Sequence, residues 1–374
     1  MKIGILCYYL SPYSGETRAA LNLAKGLEQL GNEAQLITVF SNRSLAHIMK
    51  NADLKLTIGN YIPECSFPSY TSHLILDLLF GSMAKKLHRL ILNSEPCDIY
   101  LLANDEAIPI SRYKGDRKIV YWSQGAWPTL FFSEAWYSLG NIIKRFASIG
   151  TVELSLRYSK MIKSFDMVLA NSRLAREIVA LFYNRLPEGI VYPPVDMEKF
   201  RPTQDIFERD YALAVMERPT QEGKELLEAI ASYVKLKVVG NVRIKGAEIL
   251  GRVSDEELCK LYSGALVTLY PITFEYFGYI PVESMACGTP VIAFNSGGPS
   301  ETIVDGETGW LVNSKNEFIN KVLEVCKKGY PKSMKEKARK RAELFSIERS
   351  AKELVKYLEA LARIHQSRAS FVEI

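Results

Sequence analysis

Residues 274–312 read FEYFGYIPVESMACGTPVIAFNSGGPSETIVDGETGWLV, and the order of elements in this stretch decides the fold class. Pro281 suits the first position of a helix, because its fixed φ is already helical and the amide hydrogen it lacks would find no partner there. Gly288, Thr289 and Pro290 end that helix and lead into an apolar strand over 291–294, after which Gly297, Gly298 and Pro299 turn the chain again before Glu301. A helix feeding a strand that stops at a glycine turn is the building unit of an open α/β sheet, which binds its ligands at strand carboxyl ends. The chemistry sits in the same stretch. Glu275 and Glu283 stand eight residues apart on either side of Gly278 and Pro281. The expected helix start puts Glu283 in the first turn, with the amides of Phe277, Gly278, Tyr279 and Ile280 just ahead of it. Gly278 lets a ligand approach the backbone, so hydroxyls and phosphates are the natural partners. Taken singly, Glu283 is explained by the helix dipole and Glu275 by a solvated loop; together, in this setting, they read as a site.

Working outward, 374 residues are too many for one ordinary core and suit two domains of roughly 150 to 200 residues each. The 48% hydrophobic and 24% charged fractions are those of a chain able to bury a large core. A net charge of +5 favours anionic partners such as nucleotide diphosphates or anionic lipid, and is too mild to point to nucleic acid. The six cysteines, Cys7, Cys65, Cys97, Cys259, Cys287 and Cys326, have no CxxC spacing and lie mostly in apolar segments, as free thiols in a reducing compartment do. Residues 1–7 run straight into polar Ser11, Ser14 and Glu16, which is not the pattern of a signal peptide. No segment reaches the roughly 18 apolar residues of a membrane span. These features lead to the expectation of a cytoplasmic protein.

The first 200 residues alternate apolar runs with helical stretches. Runs at 2–8, 34–40, 99–103, 118–122 and 167–170 read as strands, and Ala20, Leu23, Ala24, Leu27 and Leu30 recur at helical spacing. That pattern predicts a parallel sheet covered on both faces. Around 191–202 the chain reads VYPPVDMEKFRP, whose prolines no helix can pass through, and the interdomain linker is expected there. A second alternating set follows, with strands at 211–215, 236–239, 265–270, 290–294 and 309–312, a helix from about Lys224, and a capping box of Ser254 and Glu257. The domains are therefore expected at 1–200 and 201–374, with the final helix, about 346–365, a candidate for crossing back to the first.

At this point the sequence resembles a family, the retaining glycosyltransferases of family four. EYFGYIPVESMACGTPVIA matches that family's E-x7-E segment, ANSRLAREIV is similar to its segment before the linker, and VYPPVDMEKFRP is similar to the linker itself. The resemblance implies an α/β GT-B fold, two Rossmann-like domains facing across a cleft. It implies that Glu275 reaches the hydroxyls of the transferred sugar, that Phe277, Gly278, Tyr279 and Ile280 offer amides to sugar and phosphate, and that Glu283 binds the nucleotide ribose. Arg218 and Lys224, six residues apart after the first strand of the second domain, would clamp the donor's diphosphate; without the resemblance they are two surface charges. Glu217 stands where the family usually has glycine. Gly15, in the SGETR turn, corresponds to a Gly-Gly turn that borders diphosphate and acceptor, with Arg18 beside it. Many members carry a first-domain histidine near the sugar. Here the region reads VYWSQGAW, with Gln124 the polar neighbour available for that role, and His47, His73, His88 and His365 lie in no recognisable motif.

The implied activity is transfer, with retention of configuration, from a UDP- or GDP-linked sugar to a hydroxyl of a glycan or lipid-linked glycan. The alternative is a non-catalytic GT-B subunit of a glycosylation complex. No Asp-x-Asp pair occurs, so neither a metal nor another cofactor is expected. Between Trp127 and Tyr158 aromatic residues mingle with Lys144, Arg145 and Arg157. Core packing is the default explanation, and the same mixture suits peripheral contact with the cytoplasmic face of an anionic membrane.

Overall fold

The computed structural model describes residues 1–11, 14–41, 54–61, 81–125, 155–203, 210–216 and 220–372. They form two compact units, one of Met1–Pro194 with Ser350–Ile374, the other Val195–Arg349. Each unit is a parallel sheet with helices, as the alternating apolar runs predict.

In the first unit the strands are β1 (Lys2–Leu10), β2 (Glu33–Ser41), β3 (Lys55–Tyr61), β4 (Ile99–Leu102), β5 (Ile119–Ser123), β6 (Met167–Ala170) and β7 (Gly189–Ile190). They pair in the order β3-β2-β1-β4-β5-β6-β7, every pair parallel. The helix α1 (Gly15–Gln29) connects β1 to β2, α2 (Ser82–Asn93) precedes β4, and α3 (Arg173–Tyr183) follows β6. Apolar runs such as IYLL in β4 and MVLA in β6 are buried throughout, which is why they carry no alternation. Trp122 is wholly buried on β5 and donates from Nε1 to the Val191 carbonyl at 2.9 Å, so its polar atom is satisfied inside the core.

The second unit has β8 (Ala212–Val215), β9 (Leu236–Val239), β10 (Glu248–Gly251), β11 (Val267–Tyr270), β12 (Val291–Phe294) and β13 (Gly309–Val312), paired in the order β10-β9-β8-β11-β12-β13. Its helices are α4 (Gln221–Ala231), α5 (Asp255–Gly264), α6 (Tyr279–Ala286), α7 (Lys315–Lys328), α8 (Ser333–Ala342) and the start of α9 (Ile347–Val372), with a helical turn at Pro299–Thr302. Ser254 caps α5 by accepting from the Glu257 amide at 3.2 Å, as the sequence predicts. Leu227, Val238, Leu269, Ile292 and Phe318 meet in one core; burying such a side chain is worth about 1.5–3 kcal/mol.

Both sheets reverse direction of growth beside their first strand, between β1 and β4 and between β8 and β11. Such a switch point leaves a crevice beyond the strand carboxyl ends, because the two following connections leave on opposite faces. Among the described residues no helix is long and apolar enough to cross a membrane.

Candidate functional site

In the second unit the switch point is flanked by the loop after β11 and the start of α4. β11 lies between β8 and β12, with Leu269 paired to Ala214 and Tyr270 to Ala293. The chain leaves β11 at Tyr270, passes Pro271 and Glu275, and enters α6 through Gly278, whose φ of 78° is one that glycine adopts without strain. The helix starts at Tyr279, two residues earlier than the sequence suggests. Pro281 is thus its third residue, a position whose amide has no partner within the helix, and Glu283 falls beyond the first turn. Tyr279 and Ile280 therefore belong to the helix, and their amides point out of its amino end.

Glu283 is buried, and its Oε2 accepts from the Tyr262 hydroxyl at 3.3 Å. Tyr262 comes from α5, so the carboxylate of one helix is held from a neighbouring helix. Glu275 is half-buried, and its Oε1 accepts from the Tyr276 amide at 2.9 Å. The two acids share a neighbour. Burial, then the charge of Glu275, then that of Glu283, pushes the Tyr270 hydroxyl well up, so this phenol stays protonated. A Cβ on Gly278 would stand 3.4 Å from the same hydroxyl. The structure thus places Gly278 beside Tyr270, whose hydroxyl feels the charge of Glu275 and Glu283 and which sequence reasoning did not single out; its place as the last residue of a strand is the signal that could have found it.

The Gly297–Gly298 turn fixes this loop. The Gly298 amide donates to the Glu275 carbonyl at 2.9 Å, and the Ser296 hydroxyl donates to the Thr273 carbonyl at 2.6 Å. A Cβ on Gly297 would lie 2.2 Å from the Glu275 oxygen, and one on Gly298 2.0 Å from the Phe277 oxygen. Two arginines of α8 hold the frame from behind. Arg339 donates to the carbonyls of Ala286, Phe200 and Met197 at 2.7, 2.6 and 3.0 Å, and Arg341 to those of Glu301 and Thr302 at 2.6 and 3.0 Å. The carbonyls that end α6 and the following helical turn thereby find donors.

Lys224 lies in the first turns of α4, half-buried, where Thr220 caps the helix by accepting from the Gly223 amide at 3.0 Å. A Cβ on Gly223 would meet the Pro271 carbonyl at 3.4 Å, so the start of α4 adjoins the loop that carries Glu275. Arg218 and Glu217 lie outside the described residues.

In the first unit the switch point holds an acidic group that sequence reasoning missed. Gly15 opens α1 and is exposed, and Glu16 follows it. Asn104, just past β4, accepts from the Tyr8 amide at 3.1 Å and donates to Glu16 at 3.0 Å. Tyr121 donates to Asp105 at 2.6 Å. Burial first, with Glu16 adding to it, pushes the Asp105 carboxyl well up; burial, then Glu16 and Asp105, does the same to Glu106. An ANDE tetrapeptide directly after an apolar strand was the available signal. Gln124 follows β5 and accepts from Asn171 through its backbone carbonyl at 3.1 Å and its Oε1 at 3.3 Å, while its buried Nε2 has no hydrogen-bond partner among the described residues. Most of the aromatic and basic stretch between Trp127 and Tyr158 lies outside the described residues. Among the described residues no group of three or more His, Cys, Asp or Glu side chains is placed to hold a metal.

Residues 237–341 match the family described as glycosyl transferases group 1. The chain is 22% identical over 390 residues to alpha-1,3/1,6-mannosyltransferase ALG2 of Dictyostelium discoideum, covering 84% of this chain and 89% of that protein. It is 33% identical over 136 residues to a probable sucrose-phosphate synthase of Thermosipho melanesiensis, covering 35% of this chain and 32% of that one. In structure it is similar to the sucrose-phosphate synthase of Thermosynechococcus elongatus, with a TM-score of 0.74 and 16% identity over 97% of this chain and 100% of that one. HepE of Anabaena in complex with UDP gives a TM-score of 0.71 and 16% identity over 96% of this chain and 100% of that chain. At such identities the structural likeness establishes the GT-B fold, and the matched segment contains Glu275, Glu283 and the glycine turn.

Proposed function

We propose that this chain, a GT-B glycosyltransferase carrying the group 1 glycosyl transferase domain, moves a hexosyl group with retention from a nucleotide diphosphate donor to a hydroxyl of a glycan or lipid-linked glycan. The observation that carries the reading is the loop beyond the carboxyl end of β11, which holds Glu275 through the Gly298 amide and leads by Gly278 into the amino end of α6 with its buried Glu283. Mannose is the favoured sugar, because the relative matched over most of its length bears the name of a mannosyltransferase. The donor nucleotide is GDP or UDP.

Bond breaking at the anomeric carbon leaves a diphosphate that gains negative charge. Fixed cations and amides that meet this charge stabilise the transition state more than the bound donor. Lys224 and Arg218 supply the cations, and the amides of Phe277, Gly278, Tyr279 and Ile280 supply the dipoles. Glu275 accepts from hydroxyls of the sugar and fixes its orientation, while buried Glu283 accepts from the ribose. Retention follows from attack on the face the diphosphate leaves, with a phosphate oxygen taking the acceptor's proton. Peripheral contact with an anionic membrane brings a lipid-linked acceptor within reach.

The test is Glu275→Ala, assayed with GDP- and UDP-sugars and a lipid-linked glycan acceptor. The expected result is loss of transfer by at least about 10²-fold with nucleotide affinity nearly unchanged, since a misplaced reacting group costs that much. Full transfer by the variant overturns the assignment.

A further inference from the structure

The thiols of Cys259 and Cys287 lie 3.4 Å apart in the interior of the second unit, outside every role assigned above. Cys259 sits on α5, one turn before Tyr262, and Cys287 is the C-cap residue of α6, which carries Glu283. Both are buried and neither is in a disulfide. The Cys259 hydrogen is committed to the Arg201 carbonyl at 3.0 Å, so in the contact between the two sulfurs Cys287 donates and Cys259 accepts. Donation from Cys287 holds the Cys259 thiol down against its own burial, with Arg201 and Arg339 adding to the effect, and pushes the Cys287 thiol up. A sulfur that already accepts a hydrogen bond beside two guanidinium groups is the one that ionises first. Forming a bond of about 2.05 Å from this contact needs roughly 1.4 Å of closure, within reach of side-chain rotation on the ends of two helices.

We propose that Cys259 and Cys287 are a modification site, a dithiol that a small peroxide converts reversibly into an intramolecular disulfide. The Cys259 thiolate attacks one oxygen of hydrogen peroxide, the O–O bond breaks, and the departing hydroxide takes up the proton Cys259 lost, giving Cys259 sulfenic acid and water. The Cys287 sulfur then attacks the Cys259 sulfur, the S–O bond breaks, and the leaving hydroxide carries off the Cys287 proton as a second water. Two thiols and one peroxide become one disulfide and two waters. Hydrogen peroxide is close to water in size, so it enters where larger disulfide oxidants do not. The bond ties α5 to the end of α6 about one helical turn from the Tyr262–Glu283 contact, and a thiol reductant such as dithiothreitol restores the pair.

The experiment titrates the reduced full-length protein with hydrogen peroxide, alkylates free thiols under denaturing conditions, and maps peptides by mass spectrometry without reduction. The expected result is a Cys259–Cys287 linked peptide pair at peroxide doses that leave Cys326 alkylatable, lost again on dithiothreitol treatment. Thermal melting supplies a readout that needs no variant. The oxidised wild type melts higher than the reduced form, because the bridge constrains the unfolded chain over a separation of 28 residues. In Cys287→Ser peroxide produces no such rise. Recovery of both cysteines as free thiols while Cys326 is oxidised, or of Cys259 as sulfinic acid beside a free Cys287, overturns the proposal.

Discussion

Gly298 lies so close to Phe277 that a Cβ added to it would fall 2.0 Å from the Phe277 carbonyl oxygen, and its amide donates to the Glu275 carbonyl at 2.9 Å. Gly298 is not in a left-handed conformation; its backbone is right-handed helical, which any residue adopts. The demand for glycine here comes wholly from the approach of one backbone to another.

Gly298→Ala must therefore push the 275–277 backbone outward by several tenths of an ångström or more. The expected outcome is a loss of transfer of about 10²-fold in kcat, since catalysis tolerates little displacement of a positioning group. The far-ultraviolet circular dichroism spectrum stays that of the wild type. Gly306→Ala, at a position with open space around it, is the control and changes transfer little despite its positive φ. Steady-state kinetics on the two variants make the comparison.

Tyr262→Phe removes the hydroxyl that donates to Glu283 at 3.3 Å and leaves that buried carboxylate one donor short. A hydrogen bond to a charged group is worth about 1.5–3 kcal/mol, so nucleotide affinity is expected to fall roughly tenfold. Glu283→Ala should lower it further, by about 10–100-fold, because the ribose contact goes with it. Calorimetric titration with GDP and UDP measures both, and unchanged affinity in Glu283→Ala sinks the ribose assignment.

The buried Asp105 carboxyl gives the first unit a pH signature. Its folded pKa lies well above its ordinary 3.8, through burial first. A raised acid contributes stability that is fully present below the unfolded value and is lost as pH rises from there through the folded one. Wild-type stability should consequently fall, relative to Asp105→Asn, as pH climbs from about 4 toward the alkaline side. The asparagine keeps an oxygen for the Tyr121 hydroxyl and has no charge to bury, so at pH 8 the variant should be the more stable by about 1–3 kcal/mol. Urea denaturation of both proteins at pH 5 and pH 8 tests the sign, and parallel curves would remove the claim.

The interior strands were legible in the sequence because they are buried on both faces. β6, β11 and β12 fall where continuous apolar runs predict, since a strand inside a parallel sheet needs no polar alternation. Of the four edge strands, β13 was read and β3, β7 and β10 were not. KLTIGNY in β3 and EILG in β10 each pair on one side only, and no residue of β10 is buried, so neither needs an apolar run. The start of α6 was misplaced by two residues because the third helical position, like the first, leaves no amide hydrogen to be missed and so tolerates proline. Glu275, Glu283 and the glycine turn were legible from spacing. Tyr262, Tyr270 and Arg339 were not, since their roles arise from contacts across 21 to 142 residues of chain or from burial. The acidic group at Asp105 was hidden for a similar reason: one sequence gives the carboxylates and says nothing of how deeply a turn is covered.

The last helix, α9, begins in the second unit and from Ser350 onward is counted with the first. Tyr357 on this helix fills the space over Gly189 so fully that a Cβ on the glycine would strike its ring and hydroxyl. The first unit is thus assembled from both ends of the polypeptide, and the second is spliced into it as a continuous passage. Dividing the gene near codon 195 would give a front half that lacks part of its own wall and a back half burdened with an orphaned helix. Clean dissection follows the fold instead, lifting out 195–349 and rejoining what remains.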